Sequence, residues 1–272
     1  MAGIKLHGAV DVEIYNNHIY RCGNLGGLWL DWMAQGAIVT QNLFHDNIGG
    51  TGDVFFEMLH GPVVFANNIL LSKHKSFDMN AKGIAFAHNL IPSRYIYVDL
   101  DKRKTPFHKA HSTEIAGLFD APSGDHRFYN NVFVAPFTMN GVNKSRLECF
   151  ASGNVYLNGA KPSKYDKDSV VQADFNPEIS LTENNGEWFL EINVNQDWIK
   201  KQNQKLVSSA LLGKAKIPQA KYENTDGTPL KIDTDYFGKK RDIKTPFPGP
   251  IEFTKSGKQL LKVWPVNPGR SN

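Results

Sequence analysis

Cysteine is nearly missing from this 272-residue chain: there are two, Cys22 and Cys149, far apart. That spacing excludes a paired disulfide framework and predicts two buried, reduced thiols that act as small hydrophobes. No apolar run approaches the ~18 residues a membrane-spanning helix needs, so no membrane partner is expected. The opening Met1-Ala-Gly-Ile-Lys-Leu-His7 has no basic segment followed by an apolar one. No signal peptide is therefore visible, and the compartment is left open. Charge of one sign is scarce as well: net charge is +4, and residues 1–160 carry 13 Lys/Arg against 13 Asp/Glu. The surplus sits in the C-terminal part, partly in Lys239-Lys240-Arg241, which reads as a solvated run rather than a nucleic-acid patch. With 41% hydrophobic and 21% charged residues, the composition is that of a folded globular chain.

What the sequence does have is a repeat: apolar, any, apolar, any, any, Asn, any, apolar. It reads Val12-Glu-Ile14-Tyr-Asn-Asn17-His-Ile19, then Ala37-Ile-Val39-Thr-Gln-Asn42-Leu-Phe44, then Val63-Val-Phe65-Ala-Asn-Asn68-Ile-Leu70. It continues as Ile84-Ala-Phe86-Ala-His-Asn89-Leu-Ile91 and His126-Arg-Phe128-Tyr-Asn-Asn131-Val-Phe133, with a degenerate copy at Cys149-Phe-Ala151-Ser-Gly-Asn154-Val-Tyr156. The asparagines lie 25, 26, 21, 42 and 23 residues apart, and the doubled interval predicts one coil between Asn89 and Asn131 whose phrase is lost. Leucine-rich repeats have a similar period, but their leucine frame is absent. Alternation on both sides of the Asn instead predicts two short strands meeting at a bend. Asn tolerates a left-handed bend, and its side chains can stack into a ladder.

The fold expected is all-β, a right-handed parallel β-helix (a solenoid) over residues 1–160. Residues 161–272 form a C-terminal extension that packs on the coils or caps their end. Within it, 161–185 reads as polar loop, Trp188 to Val194 as a strand, Trp198 to Leu212 as a helix, and 222–250 as a turn-rich stretch.

One strand earlier in each coil, acids recur. Counting back eleven from Asn42 gives Asp31, and from Asn68 gives Glu57; the flanks Leu28-Trp-Leu-Asp-Trp-Met33 and Val54-Phe-Phe-Glu-Met-Leu59 align without a gap. Alternation puts Leu28, Leu30, Trp32, Val54, Phe56 and Met58 inside and Trp29, Asp31, Phe55 and Glu57 outside. Adjacent rungs are ~4.8 Å apart. Two carboxyls at that spacing match the ~5–5.5 Å of a retaining glycosidase rather than the ~6.5–9.5 Å of an inverting one. Repulsion between them should leave one carboxyl protonated to higher pH, as an acid beside an ionised nucleophile requires. Trp29 and Phe55 offer a platform for a sugar ring. Asp78, eleven before Asn89, extends the acid column, and His7 and His60 are nearby imidazoles able to bind substrate. His108 and His111 lack carboxylate or cysteine partners at ligand spacing and read as a loop pair, so no metal site is expected.

At these residues the chain resembles glycoside hydrolase family 120, the β-helical β-xylosidases. The strings that carry the likeness include Gly27-Leu-Trp-Leu-Asp-Trp-Met-Ala-Gln-Gly36, Asn42-Leu-Phe-His-Asp46 and Glu57-Met-Leu-His-Gly-Pro62. In the tail, Asp226-Gly-Thr-Pro229, Asp235-Tyr-Phe-Gly238 and Pro248-Gly-Pro250 add to it. The resemblance implies Asp31 as nucleophile, Glu57 as general acid/base, xylo-oligosaccharide substrates, retention of configuration and no metal or organic cofactor. Family chains are longer, with further N-terminal coils and an inserted β-sandwich, so this chain resembles their C-terminal part. A bare solenoid end exposes strand edges and predicts self-association into a homo-oligomer. Two other readings are open. A pectate-lyase-like β-helix would use Lys or Arg as base and usually Ca²⁺; a non-catalytic solenoid would bind carbohydrate without the carboxylates.

Overall fold

In a computed structural model that describes residues 1–98, 100–200 and 204–266, the six repeat asparagines form one continuous ladder. Each of the five after Asn17 accepts, on its side-chain oxygen, the backbone N–H and the amide of the Asn in the preceding coil; Asn42 receives Asn17 at 2.9 and 3.0 Å. The series runs through Asn68, Asn89 and Asn131 to Asn154 with contacts of 2.9–3.2 Å. The amides of those five also reach back to a strand carbonyl of the coil before, for example Asn89 to Phe65. Asp166 closes the ladder, accepting the Asn154 amide at 2.7 Å.

The left-handed bend is not at the ladder asparagines, as expected, but one residue earlier. Asn16, Gln41, Asn67, His88 and Asn130 have φ between 50° and 56°, and Gly153 at 71° fills that place in the degenerate copy. The bend residue points outward, leaving the following Asn free to turn inward and stack. A Cβ on Gly153 would meet the Asn130 side-chain oxygen, so any larger residue there requires Asn130 to move.

Stacking generates three parallel sheets, a parallel β-helix. The first contains Ile4–His7, Leu28–Asp31, Val54–Glu57, Phe77–Asn80 and Tyr95–Tyr97. The second holds the strands before each bend, from Glu13–Tyr15 to Phe150–Ser152, and the third those after it, from His18–Tyr20 to Val170–Gln172. Inward side chains stack down the interior: Phe65, Phe86 and Phe128 form one column, the last two rings 5.0 Å apart and nearly parallel. Burying each such ring contributes about 1.5–3 kcal/mol.

There is no lost coil between Asn89 and Asn131. Their side chains bond directly, at 2.9 Å, so the two coils are adjacent. The extra residues instead make an antiparallel hairpin, Leu100–His108 against Ile115–Pro122. Its length imitates a period, which is why spacing alone mistook it for a coil.

The C-terminal residues pack on two outer faces of the solenoid. Val207, Leu212, Ala215, Tyr222 and Ile232 cover Ile38, Val64 and Ala85 of the second sheet. Leu190, Ile192, Trp198, Tyr236 and Phe247 cover Leu43, Ile69, Leu90 and Val132 of the third. The outward bend residues fasten this segment: Asn16 to the Val266 carbonyl, Gln41 to Asp235, Asn67 to Thr234 and Asn130 to Lys205.

Several local expectations change. Residues 161–185 contain two strands, Val170–Gln172 as a further rung and Ser180–Asn184 in a sheet with Glu187–Val194 and Gly257–Trp264. The expected helix from Trp198 to Leu212 is two short helices, Asp197–Lys200 and Ser209–Leu212, and 201–203 lie outside the described residues. Arg241 is not solvated: it is buried, donating to Asn67, Thr234, Phe247, Gly249 and Glu252, because the tail must satisfy carbonyls it buries. Both cysteines are free, Cys149 buried and Cys22 only half-buried.

Candidate active site

The outward face of the first sheet carries two columns of side chains. Backbone pairing aligns His7 with Asp31 and Glu57 with Asn80. Leu28, Trp29 and Leu30 pair with Val54, Phe55 and Phe56, so Asp31 and Glu57 follow as the next residues of one register. The second column is Lys5, Trp29, Phe55, Asp78 and Ile96. The count of eleven therefore fails for Asp78. Its coil is two residues shorter between this strand and the Asn, so Asn80 stands in the acid column and Asp78 beside Phe55. Lys75 pairs with Asp78 at 2.9 Å, and burial raises the Asp78 carboxyl above its ordinary value against that pull.

Leu28, Leu30, Val54, Phe56 and Met58 are buried as alternation requires. Trp32 is not: the strand ends at Asp31, alternation lapses, and the half-buried indole lies 6.4 Å from the His7 ring. Trp29 and Phe55 have ring centroids 5.3 Å apart, tilted by 36°. Lys5 lies over the Trp29 ring at 3.4 Å, a cation–π contact. The Trp29 indole nitrogen is buried with no protein acceptor among the described residues.

Asp31 is 6% exposed and closely held. Lys5 Nζ lies 2.8 Å and His7 Nδ1 3.1 Å from Oδ2, and the Trp32 N–H donates to Oδ1 at 2.8 Å. Burial pushes the Asp31 carboxyl up, but Lys5, His7 and the Trp32 N–H together outweigh it, so the group sits below its ordinary range. Asp31 is thus fitted to stay ionised.

Glu57 meets a residue that sequence reasoning missed. Arg103, from the hairpin, donates Nη2 to Glu57 Oε1 at 2.8 Å and to Asp101 Oδ2 at 2.7 Å. Asp101 also accepts from Asn80, at 2.7 Å. The Arg103 fork holds Asp101 well below the usual carboxylate range, and Asp101 and Glu57 in turn raise Arg103. Lys5 had a signal that could have revealed it, since it sits two residues before His7 on the same strand. Arg103 had none, because only the hairpin's docking brings it there.

His60 turns away from the open face. It is 2% exposed, with Nε2 toward the Thr105 carbonyl at 2.9 Å and Nδ1 2.9 Å from Lys82 Nζ. Burial lowers both groups, His60 to about 4 and Lys82 to about 8. Together with the Lys82 contact to the Asp120 carbonyl and the Gln35 amide paired to the His108 backbone, they fix the hairpin to the coils. His111 does acquire carboxylate partners, Asp11 at 3.2 Å and Glu223 at 3.4 Å, through contacts 100 and 112 residues apart in sequence. Among the described residues no group of three or more His, Cys, Asp or Glu is arranged to hold a metal ion.

A solved structure described as the complex of XylC with xylose is similar to this chain, with a TM-score of 0.86 and 32% sequence identity. The match covers 97% of this chain and 45% of that one, so the chain spans less than half the length of the protein it matches. No family model matches the chain, and no curated protein does.

Proposed function

We propose that this chain carries the catalytic face of a retaining glycoside hydrolase acting on xylose-containing oligosaccharides, with Asp31 as nucleophile and Glu57 as acid/base. The observation that carries the reading is that Asp31 and Glu57 are the next residues of one register on consecutive rungs, whose backbones lie about 4.8 Å apart, a spacing that suits the short carboxyl separation of a retaining enzyme. The likeness to XylC, solved with xylose, supports the sugar. In the first half-reaction an Asp31 oxygen attacks the anomeric carbon while Glu57 gives its proton to the departing glycosidic oxygen. In the second, Glu57 takes a proton from water, the hydroxide oxygen bonds the anomeric carbon, and Asp31 leaves as carboxylate. The depressed Asp31 carboxyl suits the nucleophile, and Trp29 with Phe55 suits an apolar sugar face.

A lyase needs a Lys or Arg free to take a proton. Arg103 stands beside the acids, but Asp101 and Glu57 keep its guanidinium charged, which disfavours that chemistry. The test is Asp31→Gly on an aryl β-xyloside. Turnover should drop roughly a thousandfold or more and return with azide as a glycosyl azide of opposite configuration. Undiminished turnover in Asp31→Gly, or an unsaturated product absorbing in the ultraviolet, would end the proposal.

A further inference from the structure

We infer that Arg103 is the positioning residue of Glu57, shared with Asp101 so that the hairpin governs how readily Glu57 gives up its proton. The inference rests on the acid/base role proposed for Glu57 and adds a residue to it.

The geometry is unequal between the two carboxylates. Asp101 takes the guanidinium fork, with Nε at 3.1 Å from both its oxygens, Nη2 at 2.7 Å from Oδ2, and the Arg103 backbone N–H at 2.8 Å. Glu57 receives one N–H. Arg103 can therefore keep its main anchor while its contact with Glu57 lengthens or shortens. The Arg103 side chain is 45% exposed and Glu57 15%, so the arginine reaches the acid from the solvent side. The hairpin itself is held elsewhere, at Thr105 by His60, at His108 by Gln35 and at Asp120 by Lys82, so Arg103 is not needed as a fastener.

The charged groups around Glu57 come from three elements. Asp31 is on the preceding rung, its charge met by Lys5 and its Oδ2 also in hydrogen-bond contact with His7. Asn80, on the following rung, is neutral and tied to Asp101. Arg103 and Asp101 come from the hairpin and have opposite signs. Near Glu57 the arginine favours the carboxylate that remains after proton donation, and Asp101 opposes it directly and by competing for the guanidinium.

The test is a ¹³C NMR titration of the Glu57 carboxyl, assigned by its disappearance in Glu57→Gln. In Arg103→Gln its midpoint should rise relative to the wild type, by about half a pH unit for a solvent-screened pair. In Asp101→Asn it should fall by a similar amount, and Arg103→Lys should stay close to the wild type. Opposite signs for the two hairpin variants are the outcome a purely structural role cannot give. Midpoints that coincide, or that move together in one direction, overturn the inference. Because the titration needs no turnover, it stands apart from the azide experiment: a failed rescue at Asp31 removes the hydrolase reading without touching the coupling of Arg103 to Glu57.

Discussion

Replacing Asn89 by alanine tests the ladder where it carries most. The side chain receives the Asn68 N–H at 2.9 Å and the Asn68 amide at 3.2 Å, and donates to the Phe65 carbonyl at 2.8 Å and to Asn131 at 2.9 Å. Alanine leaves the Asn68 N–H and the Phe65 carbonyl without these bonds in a fully buried site. Asn68 keeps its bond to the Val39 carbonyl, and Asn131 keeps the Asn89 N–H. Two orphaned groups at about 1–3 kcal/mol each give a loss of roughly 4 kcal/mol. Asn17, at the first rung, is half-buried and donates only to Asn42 and the Tyr15 carbonyl, bonds that water can replace. Its alanine variant should lose less than about 1 kcal/mol. The difference, about 3 kcal/mol, is a gap of roughly 6–12 °C in Tm for a chain of this size. Far-UV circular dichroism against temperature or urea measures it. Asn89→Asp adds a control: it keeps an accepting oxygen but turns the other toward two acceptors, so it should match alanine at neutral pH and recover on acidification. If Asn89→Ala and Asn17→Ala melt together, the ladder does not hold the coils in the way argued.

Lys5→Met should let Asp31 keep its proton to higher pH, moving the acid limb of kcat/KM on an aryl xyloside upward by about one unit while leaving the alkaline limb in place. An unmoved acid limb would refute the role given to Lys5. Asp53 offers a stability test: it is fully buried, bonded to Asn47 and Ser72, and burial pushes it up to about 7. The folded state then holds a proton that the unfolded chain releases near pH ~4, so stability falls between about pH 4 and pH 7 and levels off above. Asp53→Asn should therefore gain on the wild type by a few kcal/mol between pH 4.5 and pH 8, read from urea midpoints, and a difference independent of pH would contradict this.

The coils were legible because the rule that builds them is local. A period, an alternation and an Asn at a fixed offset suffice to place Asn17, Asn42 and Asn68 in register, and with them Asp31 beside Glu57 and Trp29 beside Phe55. Each failure came where a length changed or a distant segment arrived. The coil carrying Asp78 is two residues shorter between its first strand and its ladder Asn, which moved Asp78 out of the acid column. The hairpin has the length of a coil and so passed for one. The left-handed bend was given to the ladder Asn because Asn tolerates that backbone, yet Gln41 and His88 adopt it as well, and only the demand that the next side chain point inward decides which residue turns. Arg241 looked solvated in a basic run, while its partners Asn67 and Glu252 are known only once the tail is laid on the solenoid.

The hairpin explains more of the site than its sequence suggested. Its successive anchors step back through the coils: Asp101 to Asn80, Thr105 to His60, His108 to Gln35, His111 to Asp11. Those four partners belong to four consecutive coils, so the hairpin runs along the solenoid axis, past the ends of the first-sheet strands, for roughly 14 Å. A wall in that direction crosses rungs rather than following one strand. On the proposed function, a sugar lying over Trp29 and Phe55 and extending along that wall would have its neighbouring units above other rungs, toward Lys5 and His7 on one side and Asp78 and Asn80 on the other. The same connection that broke the repeat thus brings both a wall beside the first sheet and the arginine that meets Glu57, through a single inserted element.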